Sequence, residues 1–115
     1  MPAPFPPAAR VLAGADFARI LAGGRRRRDG LLSVTACPNG LEGCSRLGLA
    51  VSRRAGNAVR RNRIKRLVRE AFRLQRDDIP PGFDYVVSPR GAGEGWTLAP
   101  VQKSLLKLAR EAAGA

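Results

Sequence analysis

Apolar positions along the chain follow two periods, one near two and one near 3.6, and the switches between them mark the elements. In "DFARILA" at 16–22, Phe17, Ile20 and Leu21 recur at helical spacing behind Asp16, a suitable N-cap, and Gly23-Gly24 ends the segment. Residues 31–36 are rich in Leu, Val and Thr and predict a strand. "PNG" at 38–40 is turn chemistry, although the connection to Arg46 is longer than a two-residue hairpin. "RLGLAVS" at 46–52 alternates, with Leu47, Leu49 and Val51 facing one way and Gly48 and Ala50 the other. These two strands are expected to pair antiparallel, and 24–28 has room for a further short strand. Asn57 is a good N-cap for a helix over 58–76, which "DDIPPG" stops, since two prolines cannot continue it. "DYVVS" at 84–88 predicts a strand buried on both faces. Leu98, Val101, Leu105, Leu108 and Ala112 predict a last helix over 97–113 with Thr97 as N-cap and Pro100 harmless in the first turn.

The order αβ(β)βαβα, without repeats, describes an α+β protein: a single small two-layer domain over 15–113 with a mixed or antiparallel sheet. Residues 1–14, "MPAPFPPAARVLAG", are expected to form a flexible, proline-rich lead-in.

Charge changes the reading of the helix at 58–76. The chain has 21 Lys and Arg against nine acids, a formal net charge of +12. Ten of the basic residues and one acid, Glu70, lie between Arg53 and Arg76. Such crowding opposes folding unless an apolar face or an anionic partner offsets the repulsion. At helical spacing, Ile64, Leu67, Val68, Ala71 and Phe72 form one stripe, and Asn62, Arg66, Arg69 and Arg73 form a ridge opposite. Lys65 and Arg76 border the ridge on one flank, Arg63 and Glu70 on the other. The helix is therefore expected to dock by its stripe and present a row of guanidinium groups, whose planar forks suit bidentate contact with phosphate. A face kept only for solubility normally mixes signs, so a nucleic-acid partner is expected. Asn62, a short amide amid arginines and a poor helix former, suggests a specific contact to a base edge, a 2′-hydroxyl or a carbonyl.

The chain has no histidine, which excludes an imidazole base, a Ser-His or Cys-His nucleophile and any imidazole-ligated zinc. Cys37 and Cys44 are too few for a structural zinc site within one chain and are expected to be free thiols. No apolar run approaches a membrane span, and the first residues do not resemble a secretory signal, so a cytoplasmic location is expected.

The segment "GNAVRRNRIKRLVREAFR" strongly resembles the protein subunits of bacterial ribonuclease P, whose signature is an Arg-Asn-Arg core inside a longer basic helix. Arg61-Asn62-Arg63 match the core, and Lys65, Arg66 and Arg69 match the family's basic positions. Upstream, "RLGLAVSRRAGNAV" matches through its strand, Arg53, Arg54 and Gly56-Asn57, and "ADFARIL" matches the N-terminal helix. The resemblance implies a fold like the second domain of ribosomal protein S5, with a left-handed βαβ crossover, against the usual hand. It implies a protein that assists a catalytic RNA in hydrolytic removal of the 5′ leader of precursor tRNA, with Mg²⁺ held mainly by the RNA and the protein inactive alone. The RNA-binding residues it implies are Arg53, Arg54, Asn57, Arg60, Arg61, Asn62, Arg63, Lys65, Arg66, Arg69 and Arg73, with one protein per RNA. The leader cleft it implies, between the sheet and the first helix, involves Phe17, Leu21, Thr35 and Val51. Relatives can carry aromatic residues where Leu21 and Thr35 stand, which implies less stacking and more charge and apolar contact here.

Two other readings bear on the same residues. A ribosomal-protein-like or helix-turn-helix module with no role in cleavage would use the same basic helix, but a helix-turn-helix needs a short helix before it, where "RLGLAVS" predicts a strand. A membrane-active amphipathic helix would need the apolar stripe that the core requires. The run Arg25–Arg28 is either a second RNA contact or a solvated segment.

Overall fold

A computed structural model describes residues 14–40, 43–91 and 95–114, so most of the lead-in expected over 1–14 lies outside the described residues. The elements are α1 (Gly14–Gly23), β1 (Arg25–Arg28), β2 (Leu32–Pro38), β3 (Arg46–Leu49), a 3-10 turn (Arg53–Ala55), α2 (Ala58–Leu74), β4 (Phe83–Pro89) and α3 (Leu98–Ala112). The helix expected from Asp16 starts two residues earlier, so Asp16 sits in the first turn rather than at the cap. The short strand near 24–28 is present, and all four of its arginines are exposed.

The four strands form one mixed sheet in the order β1-β2-β4-β3. The pairing differs from the expectation: β2 and β3 are not neighbours, because β4 lies between them, antiparallel to β2 and parallel to β3. The physical reason is burial. Tyr85, Val86 and Val87 are almost fully buried, so β4 needs cover on both faces and takes an interior position. A parallel neighbour then requires a crossover, and α2 supplies it between β3 and β4. Residues 50–52 leave the strand early and lead into the 3-10 turn.

On one face, Leu32, Val34, Ala36, Leu47, Tyr85 and Val87 pack with Ile64, Val68, Ala71 and Phe72 of α2 and with Val101, Leu105, Leu108 and Ala112 of α3. Phe72 meets Tyr85 edge to face at 6.2 Å between ring centroids. The Tyr85 hydroxyl donates to the Pro80 carbonyl at 2.6 Å, and burial raises its pKa. Gln75 ties α2 to α3 by donating to the carbonyls of Ala71 and Gln102. On the opposite face α1 crosses the sheet with Ile20 against Val86, and Phe17, Cys37 and Ala50 pack around this pair. Gly24 makes the junction with β1 possible: a Cβ there would lie 2.5 Å from the Ile20 carbonyl oxygen and 2.8 Å from that of Ala36.

Candidate nucleic-acid interface

The basic helix starts where the local chemistry requires. Gly56 has φ of 125°, and a Cβ there would meet the Arg60 side chain at 2.7 Å. Asn57 follows in extended conformation, and its side-chain oxygen accepts from the Arg60 amide at 2.9 Å. Acids normally favour a helix N-terminus, where the dipole is positive; the first turn here has none. Free amides, dipole and arginines therefore all present positive potential at one end of α2, an arrangement suited to an anionic partner.

Burial of Ile64, Val68, Ala71 and Phe72 fixes the rotation of α2, and Asn62, Arg66, Arg69 and Arg73 all emerge exposed. The expected ridge is thus present on a helix held rigidly by the core. Its members differ in their engagement. Arg73 is bonded to Glu70, an interaction that lowers the Glu70 pKa. Arg63 donates to the Trp96 carbonyl at 2.8 Å, tying the flank of α2 to the segment before α3. Lys65 and Arg61 are half-buried, and the Arg61 Nε is buried without a hydrogen-bond partner. Arg53 and Arg54 project from the 3-10 turn beside the start of α2. The eleven residues therefore lie along α2 and the turn that precedes it, with Asn62, Arg66, Arg69 and Arg73 on the exposed ridge and Arg61 and Lys65 half-buried.

The four leader-cleft residues are not brought together in this way. Phe17 is half-buried on the α1 face and Leu21 is 48% exposed. Thr35 lies on the same face but is buried, with its methyl group under Gly24. Val51 packs against the core on the other face, and Ala50 instead packs against the Ile20–Val86 pair on the α1 face. This follows from the alternation, which puts Val51 with Leu47 and Leu49.

Reading the sequence residue by residue missed the polar cluster that fastens α1 to the sheet. Asp84, fully buried on β4, accepts from Arg46 through Nε at 2.7 Å and Nη2 at 2.6 Å. It also accepts from Arg19 of α1 at 2.5 Å and from the Asn39 amide at 3.0 Å. Burial alone would raise the pKa of this carboxyl, but the hydrogen bonds from Arg46, Asn39 and Arg19 outweigh it and the net shift is downward. The strand pattern carries no signal for this, because the partners are 38, 45 and 65 residues away in sequence. Asp29 plays a similar part at the other edge. It accepts from the amides of Leu31 and Leu32 and from the Ser104 hydroxyl of α3.

With both of these acids engaged, no group of three or more Cys, Asp or Glu side chains that could hold a metal ion occurs among the described residues. Cys37 and Cys44 are free and half-buried. No helix among the described residues is long and apolar enough to cross a membrane.

Comparison with known proteins bears on this arrangement directly. The family model described as Ribonuclease P matches residues 5–113. The ribonuclease P protein component of Pelotomaculum thermopropionicum is 38% identical over 84% of this chain and 86% of its own length. That of Brevibacillus brevis is 46% identical over a shorter match, which spans 58% of this chain and 53% of the relative. Among solved structures, the ribonuclease P protein from Thermotoga maritima superposes with a TM-score of 0.81 at 38% identity, covering 89% of this chain and 96% of that one. The chain belongs to the ribonuclease P protein family.

Proposed function

We infer that this chain works as the protein subunit of ribonuclease P, docking on the RNA of that enzyme through α2 and the turn before it. The observation that carries the reading is the exposed row Asn62, Arg66, Arg69 and Arg73 on a helix locked by its buried stripe. A rigid row of forks can match a structured phosphate backbone without ordering flexible side-chain carriers first. Phosphate contacts of this kind set position and affinity, and the Asn62 amide adds an acceptor beside its donors, a combination suited to a base edge or a 2′-hydroxyl.

The substrate of the assembly is precursor tRNA, with its 5′ leader held on the α1 face near Phe17 and Leu21. Thr35 shapes that floor from beneath Gly24 rather than by direct contact. Val51 supports it from the core side. The chain supplies no catalytic group: it has no histidine, and Asp84 and Asp29 are occupied by arginine, asparagine, serine and backbone donors. In this reading Mg²⁺ is held mainly by the RNA, and one protein serves each RNA.

The test is incubation of purified protein with precursor tRNA, alone and with the cognate RNA. Accurate leader removal only in the presence of RNA is expected. Cleavage by the protein alone would overturn the assignment of catalysis to the RNA.

A further inference from the structure

The α1 face of the sheet extends beyond α1 as far as the β1 edge. Strand register defines two rows across it. One runs Arg26, Thr35, Val86, Gly48; the next runs Arg28, Ser33, Ser88. Directly opposed residues share a face, so Arg26 and Arg28 stand on the side of Phe17 and Leu21, while Arg25 and Arg27 stand on the side of α3. The first row is buried under α1 as far as Val86 and Thr35, whereas Ser33 and Ser88 in the second are only half-buried.

The four arginines differ in how they are engaged. On the α3 side, Arg27 folds back to donate to the Arg26 carbonyl at 3.0 Å, and Arg25 lies against Gly114. On the α1 side, the side chains of Arg26 and Arg28 make no hydrogen bond or ion pair with any described residue. Charge on an edge strand can serve simply to block pairing with another chain. That purpose needs neither four arginines without an acid nor this division between engaged and free guanidinium groups. Residues two apart on a strand are separated by about 6.7 Å, a spacing comparable with consecutive phosphates of an extended single strand.

We propose that Arg26 and Arg28 form a phosphate track for the precursor-tRNA leader where it leaves the α1 face over the β1 edge. The Ser33 and Ser88 hydroxyls floor the approach. This rests on the leader-cleft reading above. From β4 to β1 is two strand spacings, about 10 Å, so the track engages leader nucleotides beyond those beside Phe17 and Leu21. Short leaders do not reach it.

The experiment uses the reconstituted enzyme and precursor tRNAs with a two-nucleotide leader or a leader of about ten nucleotides. Wild type is compared with the double variants R26A/R28A and R25A/R27A, which lose the same charge from opposite faces. R26A/R28A is expected to weaken binding of the long-leader substrate several-fold, with its salt slope reduced by about 1.4 for two single-strand contacts. The short-leader substrate and the R25A/R27A enzyme remain near wild type. Equal loss on both substrates would assign the arginines to the RNA subunit and overturn the proposal, as would equal effects of the two double variants. A partner that pairs with the β1 backbone would respond to neither pair and would also contradict it. If wild type itself does not distinguish the two leaders, the cleft reading falls together with the track.

Discussion

Replacing Asp84 with Asn keeps the shape of the side chain and removes its charge, which makes it a direct probe of how α1 is held. In the native chain the buried carboxylate accepts two bonds from Arg46, one from Arg19 and one from Asn39. An amide offers one acceptor oxygen, and its NH₂ group would face guanidinium donors. Removing one partner of a buried ion pair costs about 3–5 kcal/mol. The Arg46 side chain is 22% exposed and can partly rehydrate, which places the expected loss near the lower end, about 3 kcal/mol. At about 4 °C per kcal/mol for a domain of this size, the melting temperature should fall by about 12 °C. Thermal denaturation followed by circular dichroism at neutral pH measures it.

The same substitution carries a pH signature. The Asp84 pKa is lowered in the folded state, so its contribution is complete above the ordinary carboxylate range, about pH 4, and is lost as pH falls through the lower folded value. The gap between wild type and variant should therefore close as pH falls below about 4. A melting temperature within about 3 °C of wild type at neutral pH, on the same conversion, would refute the view that this cluster fastens α1, β3 and β4 together.

Three further predictions separate stability from RNA binding, and a fourth addresses salt dependence. Gly24→Ala sets a Cβ against two carbonyl oxygens and should cost about 2 kcal/mol by urea denaturation; a neutral result would mean that the α1–β1 junction yields easily. Asn57→Ala removes the cap of α2 and should lower stability by about 1 kcal/mol in the same assay. Asn62→Ala, on the exposed ridge, should raise stability by about 0.5 kcal/mol through better helix propensity and yet weaken affinity for the RNA; unchanged affinity and processing would remove the special role of that amide. Arg66→Glu should weaken binding to the RNA subunit and make the slope of log affinity against log salt shallower by about 1, the value for a single neutralised phosphate.

The parts of the molecule legible in the sequence are those written in local periodicity. Asn57, the stripe Ile64–Val68–Ala71–Phe72 and the opposite arginine ridge lie within a few turns of one another, so spacing alone defines the helix, its buried side and its exposed side. The adjacent apolar pair Val86-Val87 likewise marks an interior strand. Strand order is less legible, because placing β3 beside β4 depends on a crossover and on which strand most needs cover. The cleft shows another gap. Val51 enters it by resemblance, although its alternation with Leu47 and Leu49 already directs it to the core. Thr35 is on the correct face, but only the close approach of Gly24 shows that it is covered. The Asp84 cluster joins four segments distant in sequence, and no one-dimensional pattern records such a meeting.

The central claim is that the chain acts by supporting a catalytic RNA that holds the metal. Cleavage of precursor tRNA by the cognate RNA, measured across Mg²⁺ concentrations with and without this protein, tests it most directly. The account predicts that the protein shifts the dependence so that cleavage proceeds at lower Mg²⁺. Superimposable Mg²⁺ curves with and without the protein would contradict it.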